Sequence, residues 1–354
     1  MSRKHPTTFK IGSRKVGDGQ PCYIIAEAGS NHGNSYEQAL KLIDVAADAG
    51  ADAVKFQTFR AKTLYPKSDT PVAYLKELGI KKSAFELLKE FEMPRGWIPR
   101  LADYCRKKRV HFLSTPFDEE LVDWLDPYIP AYKIASYEMT HAPLLQYAAN
   151  KKKPLLLSTG GATLAEVKKA VTYVPAGAAL GLFQCTARYP APPESLNLNV
   201  VRAFREQFGV PAGLSDHSED PVIAPTAAVA LGAAFIEKHY TLSKKLPGPD
   251  HAFAIEPKGL AALVRHVRET EQALGSGYKA PHPVEKELRN YHRGVFTTCA
   301  IAAGERFTTQ NTAVLRRAGK NGTGLEPADY PTVLKKKARR RLAAYSLLAK
   351  GALK

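Results

Sequence analysis

Residues 23–57 read YIIAEAGSNHGNSYEQALKLIDVAADAGADAVKFQ, and the fold turns on how this stretch is read. It opens with a short apolar run, Tyr23–Ala28, of the kind that forms a strand covered on both faces. A helical pattern follows over Tyr36–Ala49, and then a second apolar run, Ala53–Gln57. The alternation continues down the chain. Further candidate strands fall at Val110–Thr115, Ala131–Ser136, Pro154–Ser158, Leu180–Cys185, Pro211–Ser215 and Phe235–Tyr240, making eight in all. Helical stretches include Leu164–Tyr173 and Pro221–Leu231, the latter opening on a proline that suits a first helical turn. Eight short strands alternating with helices predict an α/β fold, a (β/α)8 TIM barrel, over residues 1–275. A doubly wound open sheet fits less well, because no GxGxxG follows the first strand.

The pattern breaks after Leu274. The turn-rich run Gly275-Ser276-Gly277-Tyr278-Lys279-Ala280-Pro281-His282-Pro283 reads as the start of a linker over 276–290. Beyond it, Gly294–Thr298 and Thr312–Leu315 read as short strands, and Ala303-Gly304-Glu305 and Lys350-Gly351 as turns. Residues 291–354 are therefore expected to form a small β-rich domain, near the lower size limit for independent stability.

Composition narrows the class. The hydrophobic share, 44%, is enough for a sizeable core. No apolar run approaches the roughly 18 residues needed to cross a bilayer. The basic start, Met1-Ser2-Arg3-Lys4-His5, is not followed by an apolar stretch and does not read as a secretory signal, so a cytoplasmic enzyme is expected. Cys22, Cys105, Cys185 and Cys299 are scattered and form no CxxC pair, which suggests reduced thiols. The formal net charge is +17, and its densest block is Lys335-Lys336-Lys337-Ala338-Arg339-Arg340-Arg341. No aromatic residues interleave that block and no nucleic-acid motif accompanies it. We read it as a solvated face and expect neither a nucleic-acid nor a membrane partner.

In a TIM barrel the chemistry sits at the C-terminal ends of the strands. Nearly every candidate strand here ends in polar groups. The ends supply Glu27, then Asn31 and His32; Lys55 and Gln57; Ser114 and Thr115; Lys133, Ser136 and Glu138; Ser158 and Thr159; Thr186 and Tyr189. The last two strands supply Ser215, Asp216 and His217, then Glu237, His239 and Asp250. A lysine inside an apolar run costs free energy unless it is paired. Lys55 and Lys133 in one mouth would repel each other unless an anion sits between them. With hydroxyls from Thr115, Ser136, Ser158 and Ser215 they suit a doubly anionic ligand carrying a phosphate and a carboxylate. His217 and His239 end adjacent strands, and two neutral imidazoles with open positions suit a divalent metal.

These residues lie in blocks that resemble the N-acetylneuraminate (sialic acid) synthase family. The resemblance runs through Ile24-Ile25-Ala26-Glu27-Ala28-Gly29-Ser30-Asn31-His32-Gly33, Ala53-Val54-Lys55-Phe56-Gln57 and Phe112-Leu113-Ser114-Thr115-Pro116-Phe117-Asp118. It continues in Tyr132-Lys133-Ile134-Ala135-Ser136-Tyr137-Glu138, Leu157-Ser158-Thr159-Gly160, Cys185-Thr186 and Tyr189-Pro190-Ala191-Pro192. It ends in Gly213-Leu214-Ser215-Asp216-His217, Ile236-Glu237-Lys238-His239 and Pro247-Gly248-Pro249-Asp250-His251. The C-terminal part, from Tyr291-His292-Arg293-Gly294 through Leu315-Arg316-Arg317-Ala318-Gly319, resembles the family's antifreeze-like (SAF) domain, and the sequence is most similar to the branch linked to spore-coat polysaccharide.

The resemblance implies condensation of phosphoenolpyruvate with an N-acyl hexosamine, N-acetylmannosamine or a 2,4-diacetamido-trideoxy hexose, to give a nonulosonic acid and phosphate. Lys55, Lys133, Thr115, Ser136, Ser158 and Ser215 would hold phosphoenolpyruvate. His217 and His239 would bind manganese or magnesium, with waters completing the shell. Glu27, Gln57, Tyr189, Asp250 and Arg317 would hold the open-chain sugar, with Glu27 handling protons; Glu138 and Glu237 join the substrate-binding set. Family members form a domain-swapped homodimer in which an arginine of the antifreeze-like domain reaches the partner's sugar; Arg317 matches it best, with Arg316 the alternative. Two positions depart from the family pattern: Ala187, where Asn or Ser is common, and Arg317-Ala318-Gly319, where Arg-Pro-Gly is usual. Another phosphoenolpyruvate-dependent sugar-acid synthase and a catalytically dead carbohydrate-binding relative are the alternative readings.

Overall fold

The structure is a computed structural model that describes residues 5–67, 82–317 and 323–354. Ala318 and Gly319 lie outside the described residues. The chain divides into two compact units, Met1–Gly275 and Ser276–Lys354.

The first unit opens on an antiparallel hairpin absent from the sequence reading, β1 (Thr8–Ile11) and β2 (Arg14–Gly17). Eight parallel strands follow: β3 (Tyr23–Gly29), β4 (Ala53–Thr58), β5 (His111–Pro116), β6 (Tyr132–Ile134), β7 (Leu155–Ser158), β8 (Leu180–Cys185), β9 (Ala212–Asp216) and β10 (Phe235–His239). They join in the order β5-β4-β3-β10-β9-β8-β7-β6, with every ladder parallel. The end strands β5 and β6 lie against each other, which rounds the sheet into a TIM barrel.

Local chemistry sets the first βαβ unit. Ser35 caps the helix Tyr36–Ala49 by accepting from the Gln38 amide, and Gly50 ends it at φ 80°. The helix buries Ala39, Leu42, Ile43 and Ala46, spaced three and four apart, against the barrel.

Side chains alternate along each strand, and that period of two builds the interior in layers. Tyr23, Ile25, Leu113, Leu156, Phe183 and Phe235 form an apolar layer inside the barrel. Phe9, Ile11 and Val16 of the hairpin pack into the same cluster, so the hairpin plugs the N-terminal end of the barrel. Phe235 stacks between Phe9 and Phe183, with ring centroids 6.1 and 5.2 Å away. Each of these buried aromatic side chains contributes roughly 1.5–3 kcal/mol. The same parity that turns residues 23 and 25 inward also turns Glu27 inward, one layer nearer the mouth.

Several expected elements shift by one residue, and two differ by two residues at one end. The strand expected over Ala131–Ser136 stops at Ile134, because Ser136–Thr140 winds into a 3-10 helix with Ala135 as its N-cap. The helix expected from Pro221 begins at Ile223, because the Asp220 carboxylate accepts from the Val222 and Ile223 amides and fixes the start there.

The second unit pairs β11 (Arg293–Thr297) with β12 (Thr312–Arg316) antiparallel, over a core of Val295, Ile301, Phe307, Leu325, Val333 and Leu348. Lys350–Ala352 is a 3-10 turn. In the basic block only Ala338 is buried; its six cationic neighbours are exposed. All four cysteines are free. Among the described residues no helix is long and apolar enough to cross a membrane.

Candidate active site

Above the apolar layer the barrel interior becomes charged. Glu27, Lys55, Lys133 and Glu237 all face inward and are at most 4% exposed. Lys55 Nζ lies 2.8 Å from Glu27 Oε2 and donates to Thr115 Oγ1 at 3.0 Å. Lys133 Nζ donates to Ser158 Oγ at 2.6 Å. The Glu237 carboxylate stands between the two ammonium groups, 3.8 Å from Lys55 and 3.3 Å from Lys133, and accepts from Ser215 Oγ at 3.2 Å. This corrects the expectation that the lysines need an external anion between them. The chain supplies its own, because the period of two brings Glu237 to the same interior layer as both lysines.

The four charges balance in number but differ in protonation. Burial raises the Glu27 carboxyl above its ordinary range, against the pull of Lys55. Burial acts on Glu237 too, but Lys133 and Lys55 outweigh it and hold that carboxyl below its usual value. Burial lowers Lys133, with Glu237 only partly offsetting it. Burial also works against Lys55, yet Glu237 and Glu27 together raise it. Two carboxylates whose environments push them apart are suited to different tasks, one moving a proton and one holding charge.

His217 and His239 stand side by side, ring centroids 5.6 Å apart. Burial depresses the His217 imidazole to about 4, with the Thr186 carbonyl opposing. Burial, then His217, also hold His239 well below its ordinary value, so both rings are neutral. His217 Nδ1 lies 2.7 Å from Thr186 O, which places the proton on Nδ1 and leaves the lone pair on Nε2, where Cys185 Sγ is 3.7 Å away. His239 Nδ1 is buried without a hydrogen-bond partner. Two neutral nitrogen donors, one of them orphaned, fit a divalent cation. Among the described residues no cluster of three or more His, Cys, Asp and Glu side chains has metal-site spacing, so this pair would leave further positions open.

The other expected residues gather at the same mouth, with one exception. Gln57 Nε2 donates to Glu27 Oε1 at 2.9 Å. Asp250 Oδ2 accepts from Ser30 Oγ at 3.3 Å, and burial raises its carboxyl. Gly29, at φ 53°, lies where a Cβ would meet Asp250 Oδ2 at 3.0 Å and Glu27 Oε1 at 3.5 Å, so the missing side chain keeps that corner open. Tyr189 stacks on His217 with centroids 3.9 Å apart and meets His239 edge-on at 5.5 Å. Ser136 Oγ accepts from the Gly160 amide at 2.9 Å. Glu138 is buried in the 3-10 turn after β6; burial raises its carboxyl to about 7, and one of its oxygens has no hydrogen-bond partner. Arg317 belongs to the second unit, where its guanidinium pairs with Glu326 at 3.1 Å.

Several strand-end polar residues serve the scaffold instead. Ser114 pairs with Thr58, Thr159 bonds the Phe183 carbonyl, and Thr186 Oγ1 bonds the Ser195 carbonyl. Asn31 bonds the Tyr240 carbonyl, and His32 packs edge-on against Trp97. Asp216 points outward to Lys238 at 2.6 Å. The sequence reading gave Cys185 and Ser30 no role of their own. The parity of β8, in which Phe183 is an interior residue, was the available signal for Cys185.

Comparison with known proteins places this arrangement. A sequence profile of the NeuB family matches residues 42–279. The chain is 46% identical over 337 residues to the spore coat polysaccharide biosynthesis protein SpsE of Bacillus subtilis, covering 90% of each chain. It is 36% identical over 346 residues to N,N'-diacetyllegionaminic acid synthase of Legionella pneumophila, covering 95% of this chain and 96% of the relative. The crystal structure of an N-acetylneuraminic acid synthetase from Leptospira borgpetersenii superposes with a TM-score of 0.72 at 34% identity, over 80% of this chain and 95% of that one. With a TIM barrel, a charged interior layer at its mouth and relatives over most of its length that include an N,N'-diacetyllegionaminic acid synthase, the chain belongs to the NeuB family of enzymes.

Proposed function

We propose that the enzyme condenses phosphoenolpyruvate with the open-chain form of an N-acyl amino-hexose, giving a nine-carbon sialic-acid-type acid and inorganic phosphate. The observation that carries this reading is the convergence of Lys55, Lys133, Glu27 and Glu237 in one buried layer at the mouth that also holds the neutral His217–His239 pair. The relatives named as acid synthases support the same class of product.

C3 of phosphoenolpyruvate attacks the sugar aldehyde and forms the carbon–carbon bond. Water adds at C2, the C2–O bond to phosphorus breaks, and phosphate leaves. The aldehyde oxygen ends as a hydroxyl, taking its proton from that water. Lys55 and Lys133, with Thr115, Ser136, Ser158 and Ser215, bind the phosphate and carboxylate, and Glu237 holds the two ammonium groups in register. Glu27, whose carboxyl is raised toward neutrality, moves the proton. Gln57, Glu138, Tyr189 and Asp250 line the space for the sugar. His217 and His239 are the residues that would hold manganese or magnesium, and the bound ion would polarise the aldehyde oxygen.

We take the second unit to be the antifreeze-like domain and the active form to be a cytoplasmic homodimer in which Arg317 reaches a sugar. Mixing Lys133→Met protein with Arg317→Ala protein and letting subunits exchange then restores part of the lost activity.

Phosphate release from phosphoenolpyruvate, measured against a panel of N-acyl hexoses with and without Mn2+, tests the reading. Release is expected with at least one amino sugar and is expected to stop with a chelator. Release with erythrose or arabinose phosphates alone would assign the chain to a different condensation.

A further inference from the structure

Cys185 closes β8 and points into the barrel, 5% exposed, at the boundary between the two halves of the site. On one side its Sγ lies 3.7 Å from both ring nitrogens of His217. On the other it backs onto Gly160, where a Cβ would meet Sγ at 3.1 Å, Ser136 Oγ at 2.9 Å and the Ala187 Cβ at 3.2 Å. A side chain at residue 160 would force these neighbours to shift. The thiol is therefore wedged between the imidazole and the Ser136–Gly160 wall of the anion pocket. Its β9 neighbour in the ladder is Ser215.

The His217 ring is held from three directions. Tyr189 stacks on it with an interplanar angle of 27°, the Thr186 carbonyl holds Nδ1, and Cys185 contacts its nitrogen-bearing edge. The stack fixes the ring plane, and the hydrogen bond fixes one nitrogen. Cys185 stands on the side of the ring that faces the Ser136–Gly160 wall of the anion pocket.

We propose that Cys185 is a positioning residue: its sulfur sets the distance of the His217 imidazole from the anion pocket, and so the readiness of the histidine pair to take a divalent cation. The inference rests on the histidine pair being the cation site, as the proposed function has it. The role is one of volume, not of thiol chemistry. Outer groups that orient a metal-binding histidine typically change metal affinity by roughly 10- to 100-fold when removed.

The test is Mn2+ binding to the full-length protein, read from the electron paramagnetic resonance signal of free Mn2+. Phosphoenolpyruvate affinity is measured in parallel by calorimetry. Cys185→Ala is expected to weaken Mn2+ binding about 10-fold or more, with phosphoenolpyruvate affinity and melting temperature close to the parent. Cys185→Ser, which keeps most of the volume, is expected to stay within about 3-fold of the parent. Three results overturn the proposal: unchanged Mn2+ affinity in Cys185→Ala, loss of Mn2+ and phosphoenolpyruvate binding together with the melting temperature, or a serine variant as weak as the alanine. If the parent binds Mn2+ but releases no phosphate with any amino sugar, the proposed function fails while the positioning role is still decided by the binding data.

Discussion

Glu237 Oε1 lies 3.3 Å from Lys133 Nζ, and the same oxygen is 3.8 Å from Lys55 Nζ, so one buried carboxylate serves two buried ammonium groups. Breaking a buried ion pair from one side costs about 3–5 kcal/mol, because the abandoned charge has no water to turn to. Glu237→Gln is therefore expected to lower unfolding stability by about that amount. Phosphoenolpyruvate should restore much of the loss by bringing negative charge to the same place. Thermal unfolding with and without the ligand checks this; a variant as stable as the parent would show that Glu237 is not the resident counter-ion.

The two lysines are not equivalent. Lys55 is within 4 Å of both Glu27 and Glu237, whereas among the described residues Glu237 is the one carboxylate within 4 Å of Lys133. Lys55→Met strands the Glu27 carboxylate and is expected to destabilise the fold more than Lys133→Met. Both should reduce phosphate release at least about 100-fold, since each removes a donor aimed at developing negative charge. Urea unfolding and single-turnover phosphate release separate the two effects.

His32 is fully buried beside Trp97, and desolvation depresses its imidazole to about 4. The unfolded chain then holds a proton that the native state refuses between about pH 6.5 and 4. Stability from this site is complete above the unfolded value and is lost as pH falls through that window, by on the order of 3 kcal/mol. His32→Asn should show a shallower decline of unfolding free energy from pH 7 to pH 4 than the parent.

Glu138 carries the opposite sign. Burial raises its carboxyl to about 7, so the native state keeps a proton that the unfolded chain releases. Its contribution is full below about pH 4.5 and fades as pH rises through about 7. Glu138→Gln, which cannot ionise, should be more stable than the parent at pH 8, and the gap should close toward pH 4.5. Denaturant midpoints at the two pH values measure it.

Much of this was legible in the chain itself. The β8 bounds, Leu180–Cys185, and the helix Tyr36–Ala49 could be read residue for residue, because apolar runs and 3.6-residue periodicity are local properties. One failure was non-local in origin and one was local. The hairpin Thr8–Gly17 was missed because its apolar residues are few and make sense only against Phe183 and Phe235. The Asp220 carboxylate, by accepting from the Val222 and Ile223 amides, outcompeted the proline signal at residue 221.

The sequence by itself determined the strand order of polar residues, and with it the candidates Lys55, Lys133, His217 and His239. Only the tertiary structure decided what those candidates meet. Barrel closure brings residue 237 between residues 55 and 133, and residue 185 against residue 217. The physical reason is that strand parity fixes which way a side chain points. Which charge ends up beside which depends on the register of strands far apart in sequence.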